Sequence, residues 1–252
     1  MNQFGFLFLI VIGYMMIWFG MSVVQKRNDV ADVAWGVGFI IVAWASFSIG
    51  EGTIKAIIVN IMVTIWGGRL ARHIYFRNKN KPEDYRYLEW RKTWKNFYLR
   101  SFLQVFLLQG ILLYIISLPV ILINLSQNQW RTIDFVGIIL WMIGFWFEST
   151  ADSQLRKFIA NKKNKGKIMN VGLWKYSRHP NYFGEVTMWW GIWLMSLSYG
   201  GFWTIVGPGM ITYLIVFVSG VPLLEKKFAG RKDWEIYKSK TSVLVPWWSI
   251  IK

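Results

Sequence analysis

Seven long apolar runs dominate this 252-residue chain. They begin near Phe4, Val33, Thr53, Ser101, Ile133, Tyr182 and Phe202. Each run is long enough to cross a bilayer as a helix, which takes about 20 residues. Because a lipid-exposed backbone must pair its own amides, the runs predict an all-α, polytopic membrane protein with about seven transmembrane helices. No repeat or soluble segment separates them, so we predict a single integral membrane domain over residues 1–252.

The basic residues follow the same topology. With the N-terminus outside, 27 of the 29 lysines and arginines fall on cytoplasmic segments, and only Lys55 and Arg131 fall outside. Lysine and arginine concentrate in the cytoplasmic loops of membrane proteins. We therefore predict an integral protein of a bacterial cytoplasmic membrane, with the N-terminus outside and the C-terminus in the cytoplasm.

Composition narrows the chemistry further. The net charge of +16 follows the loops beside the apolar runs, which favours attraction to anionic lipid headgroups, and no nucleic acid partner is expected. The chain contains no cysteine, which excludes disulfides, thiolate metal sites and cysteine nucleophiles. We expect no metal site.

A polar stretch over residues 172–185, here called the polar wall, leads into the sixth run and reads GLWKYSRHPNYFGE. Pro180 disfavours helical backbone at His179, so we predict that a loop ends there and a helix begins near Asn181. On that helix Asn181 and Glu185 share one face. An acid at the membrane edge costs about 2.5–3.5 kcal/mol unless it faces protein, water or a ligand. Glu185 therefore indicates a functional site.

The fifth run ends in a second group of charges. Glu148, Asp152 and Arg156 follow one another at intervals of four residues and so lie on one helix face. Two acids at the inner end of a span oppose the local preference for positive charge. The pattern fits an ion-pair ladder that stabilises the helix end, or polar contacts to a ligand.

Other charged and aromatic groups lie at the predicted inner ends of the second and third spans. Asp32 fits a helix N-terminus or a polar entrance, and His73 and Tyr75 fit either the headgroup level or a site. Residues 78–96 alternate aromatic and charged side chains, which predicts an interfacial helix. The tail, residues 224–252, predicts another interfacial helix followed by an aromatic anchor.

These motifs together resemble the steroid 5-alpha-reductase superfamily, specifically its DUF1295 branch. The similarity is strongest over residues 148–248, whereas residues 32–36 and 69–73 resemble the DUF1295 branch alone. The resemblance implies a seven-helix membrane reductase that binds NADPH in a pocket on the cytoplasmic side. It also implies reduction of a carbon–carbon double bond conjugated to a ketone, in a lipophilic small-molecule substrate that reaches the enzyme among membrane lipids.

The resemblance and the polar wall give ten candidate cofactor contacts in the C-terminal half, residues 133–252. They are Glu148, Asp152, Arg156, Lys167, Trp174, Arg178, His179, Asn181, Tyr182 and Glu185. Glu148 stands where the reductases commonly have asparagine, and Lys167 falls near a family arginine that meets the cofactor phosphates. Reduction needs a donor near the substrate oxygen, for which Asp32, His73 and Tyr75 are the catalytic candidates. The glutamate and tyrosine that hold the ketone in steroid reductases have no unambiguous counterparts here.

The motif over residues 178–185 has a second resemblance, to the isoprenylcysteine carboxyl methyltransferases and the phospholipid methyltransferases. That resemblance implies S-adenosylmethionine as the alternative cofactor. The acidic ladder and the full continuation to Glu185 favour NADPH. A methyltransferase of a lipid or isoprenyl substrate, and a non-enzymatic protein that binds or transports lipid, stay open as alternatives.

Overall fold

A computed structural model describes residues 2–127 and 129–247. Within this part of the chain six helices are long and apolar enough to cross a membrane. They are Gln3–Gln25, Val30–Ser48, Ile54–Asn78, Phe97–Ile116, Thr132–Ala160 and Gly201–Lys226. A further helix, Pro180–Ser196, has 17 residues, the lower end of the spanning range. The protein is an all-α, polytopic membrane protein, as predicted, and these helices begin within about one turn of the predicted starts.

The chain falls into two compact units, and the prediction of one domain stays a prediction. The first unit is Met1–Trp130 with Tyr199–Thr204, and the second is Arg131–Ser198 with Ile205–Lys252. The helices up to residue 130 are α1 (Gln3–Gln25), α2 (Val30–Ser48), α3 (Ile54–Asn78), α4 (Tyr85–Thr93), α5 (Phe97–Ser101), α6 (Leu108–Ile116) and α7 (Leu118–Leu125). Those that follow are α8 (Thr132–Ala160), α9 (Pro180–Ser196), α10 (Val206–Tyr213), α11 (Val221–Lys226) and α12 (Lys232–Lys240).

The fourth run forms several helical segments. A π-helical segment, Phe102–Leu107, joins α5 to α6, and α6 ends at Ile116. Pro119 lies in the first turn of α7, where a backbone N–H has no hydrogen-bond partner within the helix, so its absence costs nothing. This proline therefore separates α7 from α6.

The seventh run is divided into several helical segments. A 3-10 turn, Gly201–Ile205, leads into α10, and a second π-helical segment, Leu214–Val218, follows it. The helix stops before Gly220, and α11 begins with Pro222 in its first turn. Both short helices predicted from alternating aromatic and charged residues are also present, as α4 and α12. Trp248, part of the predicted aromatic anchor, lies outside the described residues.

Helices α8 and α9 run antiparallel with their backbones in close contact. A side-chain carbon on Gly144 would lie 2.5 Å from the carbonyl oxygen of Gly184, and one on Gly137 would lie 2.5 Å from that of Gly191. Glycines at such positions allow two helices to approach more closely than any larger residue does. The candidate site therefore stands on a tightly packed helix pair.

Lys55, one of the two basic residues assigned to the outer side, is fully buried. Its ammonium lies 4.3 Å from the centre of the Tyr199 ring and 5.4 Å from that of the Trp130 ring. Cations are attracted to the faces of aromatic rings at such distances. Lys55 therefore joins the start of α3 to two aromatic residues of the first unit, while Arg131 is exposed.

Candidate functional site in the second unit

The C-terminal half of α8 and the start of α9 bring Asp152 and Asn181 into contact. The amide of Asn181 donates to Asp152 Oδ1 at 3.2 Å. Glu148, one turn before Asp152, is buried at 3% exposure and lies against Gly184. Glu185 follows Gly184 and is half-buried. Asp152 of α8 thus meets Asn181 of α9, with the buried Glu148 one turn away on α8.

The first residues of the polar wall are fastened to α8. The Trp174 indole N–H donates to the carbonyl of Ala151 at 3.1 Å, and Trp174 is buried. Gly172 has a φ of +62° and packs against the side chain of Gln154, whose Oε1 accepts from the Leu173 N–H at 2.9 Å. The positive φ and the close approach both require glycine at 172. Trp174 therefore fixes the wall in place, and Gln154 is a contributor that sequence reasoning missed.

Arg178 and His179 both turn to Glu225, which sequence reasoning also missed. Arg178 Nε lies 2.9 Å and His179 Nε2 lies 3.2 Å from the same oxygen, Oε1 of Glu225. Arg178 also donates to the carbonyls of Lys238 and Thr241 at 2.8 and 3.1 Å. Burial lowers the pKa of His179, although the hydrogen bond and the charge of Glu225 oppose that shift. A direct cofactor contact of either residue stays a prediction, and the contacts found here are internal.

The C-terminal segment, residues 237–247, is hydrogen-bonded to the polar wall. Four hydrogen bonds join Tyr237 to Trp174, Arg178 to Ser242, Ser177 to Leu244 and Trp247 to Tyr176. The backbones of Ser177 and Ser242 form an isolated parallel bridge. The polar wall is thus hydrogen-bonded both to α8 and to the C-terminal segment.

The three remaining candidates of the second unit lie nearer to solvent. Arg156 and Lys167 are exposed, which leaves both cations available to a charged ligand. Tyr182 is half-buried and stacks on the His179 ring, with centroids 5.5 Å apart. Arg156 and Lys167 are thus more exposed than Glu148, Asp152 and Asn181, which we call the inner group.

In the first unit, Asp32 is paired with a helix that follows it by some fifty residues. The hydroxyl of Tyr87 donates to Asp32 at 2.9 Å, and Arg86 donates to the same carboxylate at 3.3 Å. Burial lowers the pKa of Arg86, but its hydrogen bond to Asp84 and the charge of Asp32 outweigh that effect and raise it. Burial and the charge of Asp32 raise the pKa of Tyr87. Tyr87, which sequence reasoning missed, is therefore a phenol donor beside Asp32.

The other two catalytic candidates have different surroundings. His73 is half-buried on α3. Tyr75 is 50% exposed, and its ring lies edge-on to Phe76 with centroids 5.4 Å apart. Their role as donors stays a prediction.

The segment that carries α4 is tied to the loop between α1 and α2. Glu83 is buried and accepts from the Asn28 N–H at 2.5 Å and from Arg91 at 3.2 Å. Arg91 also donates to the carbonyl of Lys26 at 3.1 Å. Charge-assisted bonds of this kind hold two loops in a fixed arrangement. Arg91 of α4 therefore stabilises the structure of the first unit.

Helices of spanning length, together with the buried Glu148 and the contact between Asp152 and Asn181, define an integral membrane protein with a polar site on a helix pair. The family model described as "Protein of unknown function (DUF1295)" matches residues 18–241. The chain belongs to this family, and the resemblance noted in the sequence is confirmed.

Individual relatives agree with that assignment. The uncharacterized protein C594.04c of Schizosaccharomyces pombe (strain 972) is 22% identical over 279 residues, which covers 96% of this chain and 78% of the relative. The steroid 5-alpha-reductase DET2 of Gossypium hirsutum is 34% identical over 77 residues, 29% of this chain and 28% of the relative. The 3-oxo-5-alpha-steroid 4-dehydrogenase 1 of Homo sapiens is 28% identical over 111 residues, 44% of this chain and 40% of the relative. The chain thus spans less than half the length of these two named reductases, and no solved structure matches it.

Proposed function

We propose that this protein is an NADPH-dependent membrane reductase of a lipophilic enone. The observation that carries the proposal is the inner group on α8 and α9, in which Asn181 donates to Asp152 beside the buried Glu148. The similarity to relatives named as steroid reductases supports the same reaction class. The substrate would be a steroid-like or isoprenoid-like molecule with a double bond conjugated to a carbonyl, taken up from the membrane lipids.

The residues present fit a dinucleotide phosphate. Carboxylates accept from the hydroxyl and amide N–H groups that such a cofactor carries, and Asn181 Oδ1 is a buried acceptor with no donor among the described residues. Arg156 and Lys167 are exposed cations of the kind that bind phosphates. When bound, NADPH supplies the hydride that adds to the double bond.

The protein's own residues would orient and protect this step. Glu148 and Asp152 would bind the cofactor from α8. The hydrogen bonds of Trp174 and Gln154 hold the polar wall against α8. As the hydride reaches the carbon β to the carbonyl, negative charge builds on the carbonyl oxygen, so a hydrogen-bond donor is needed there. A proton from solvent then completes the saturated α-carbon.

The direct experiment incubates the detergent-purified protein with NADPH and a 4-en-3-one steroid. We expect loss of NADPH absorbance and, by mass spectrometry, a steroid product two hydrogens heavier. The Asp152→Asn variant should be slower, whereas Ile236→Ala, which changes an exposed side chain on α12, should match the wild type. Transfer of a methyl group from S-adenosylmethionine to a lipid, without NADPH oxidation, would contradict the proposal.

A further inference from the structure

A cleft of about 370 Å³ lies between α12 and the start of the polar wall. Three residues of α12 that share one helix face, Asp233, Tyr237 and Lys240, belong to its lining. Asn170, which precedes the polar wall, and Lys175, within it, line the cleft as well. Ligand pockets in proteins have volumes of about 300–1,000 Å³, so a small polar group fits. None of the ten candidate cofactor contacts is among the described residues that line the cleft.

Hydrogen bonds fix the two sides of the cleft relative to each other. The hydroxyl of Tyr237 donates to the carbonyl of Trp174, the residue before Lys175. Just after α12, the backbone of Ser242 forms its parallel bridge with Ser177. The backbones that carry the two lysines of the cleft are therefore held in place before any ligand binds, which lowers the entropy lost on binding.

The charges of the cleft favour an anion. Lys175 and Lys240 each bring an ammonium group, and the Asn170 amide adds N–H donors. The cleft also holds the carboxylate of Asp233, to which Arg231 donates from Nη2 at 2.7 Å and from Nε at 3.1 Å. Arg231 therefore matches the charge of this acid, and the two lysines give the cleft an excess of positive charge. Phosphate oxygens accept strong hydrogen bonds from such cations.

The position of the cleft indicates the source of that phosphate. Lys175 precedes Pro180, the first residue of α9, by only five residues. Because α9 is long enough to cross the hydrocarbon core, Lys175 lies at the level of the lipid headgroups. Close to the lining in sequence, Val171 and Val243 are 55% and 39% exposed. Exposed apolar side chains beside lysines are typical of surfaces that rest on anionic membranes.

We propose that the cleft binds the headgroup phosphate of an anionic phospholipid, with Lys175 and Lys240 as its cationic contacts. The amide of Asn170 donates to a remaining phosphate oxygen. This lipid site does not depend on the identity of the cofactor.

Thermal unfolding of the full chain in detergent measures the binding. Dioleoyl phosphatidylglycerol and dioleoyl phosphatidylcholine are titrated separately, because they share their acyl chains and only the first carries a net negative charge. We expect phosphatidylglycerol to raise the thermal midpoint in a saturable way, at concentrations about tenfold below those that phosphatidylcholine requires. Equal effects of the two lipids would overturn the site.

Free glycerol 3-phosphate separates the lipid from a soluble phosphate ester. It carries the phosphate without acyl chains, and it should leave the midpoint unchanged at concentrations at which phosphatidylglycerol saturates. An equal effect of glycerol 3-phosphate would assign the cleft to a soluble ligand and overturn the lipid site.

Matched double variants assign the effect to the cleft. Lys175→Gln with Lys240→Gln removes both cleft cations, and the apparent affinity for phosphatidylglycerol should fall about 25-fold, or about fivefold for each lysine. Lys162→Gln with Lys163→Gln removes the same charge from two lysines outside the lining, and should leave the affinity unchanged. All four lysines are exposed, so both variants should fold.

Two results with these variants would contradict the site. Equal weakening in both would show that the lipid responds to the overall charge of the protein. Weaker NADPH binding in the first variant alone would assign the cleft to the cofactor.

Discussion

Asp152 has one structural contact and one proposed role. It accepts a hydrogen bond from Asn181 at 3.2 Å, and it belongs to the group proposed to bind the cofactor. Asp152→Asn keeps the shape and an acceptor oxygen for Asn181 but removes the charge. If Asp152 binds the cofactor, NADPH affinity should fall about tenfold to a hundredfold, since a hydrogen bond to a charged group contributes about 1.5–3 kcal/mol. Glu185→Gln should behave in the same way. The thermal midpoint should stay close to that of the wild type.

Both quantities are measured on the same preparations, by calorimetry and by thermal unfolding in detergent. If the acid served only to balance neighbouring cations, its loss would strand a positive charge. A lower midpoint with unchanged affinity would therefore remove Asp152 from the cofactor site.

His179 gives the stability of the protein a defined pH dependence. Burial lowers its pKa below the ordinary value of 6.5, although Glu225 opposes the shift and Arg178 adds to it. The unfolded chain then binds a proton at a higher pH than the folded protein does. The free energy of unfolding should therefore fall as the pH drops below 6.5, and the fall should end once the folded state is protonated too.

Thermal unfolding between neutral and mildly acidic pH measures this slope. His179→Phe should flatten it. His73→Asn, which changes the other histidine of the sequence, is the matched control and should keep it. An identical slope in wild type and His179→Phe would exclude His179 as its source.

At the scale of elements, the α8–α9 contact positions the candidate site. A side-chain carbon on Gly184 would meet the carbonyl of Gly144 and would lie 2.5 Å from the Glu148 nitrogen. Gly184→Ala should therefore push the helices apart, with a loss of about 1–3 kcal/mol in unfolding free energy. Because Asp152 and Asn181 meet across the same helices, NADPH affinity should fall as well.

Gly209→Ala is the matched control, because a side-chain carbon there meets nothing within 4 Å. It should leave the NADPH affinity unchanged. If Gly184→Ala matched the control in both thermal midpoint and affinity, close contact between α8 and α9 would not be what positions the site.

The helices themselves follow from local information. Apolar runs of spanning length fix α1 to α3 and α8, and Pro180 marks the start of α9. The partners of the site residues do not follow in the same way, because nothing in the sequence links His179 to a glutamate 46 residues later. The pairing of Asp32 with Tyr87 is equally distant, at 55 residues. Residue types and faces were therefore predictable, whereas the pairs that hold them arise from tertiary packing.

At the scale of the whole molecule, the orientation in the membrane stays a prediction that cysteine substitution tests. The native chain has no cysteine, so each variant carries one label site. Arg131→Cys should react with an impermeant reagent in intact cells, and Lys163→Cys should react only after lysis, since both positions are exposed. Lys55 is unsuitable because its side chain is fully buried. Labelling of Lys163→Cys in intact cells would reverse the orientation.

The identity of the cofactor decides the central claim most directly. Purified protein is titrated by calorimetry with NADPH and, separately, with S-adenosylmethionine. We expect saturable NADPH binding with a dissociation constant in the low micromolar range or below, and much weaker binding of S-adenosylmethionine. Saturable binding of S-adenosylmethionine with none of NADPH would contradict the reductase and favour a methyltransferase.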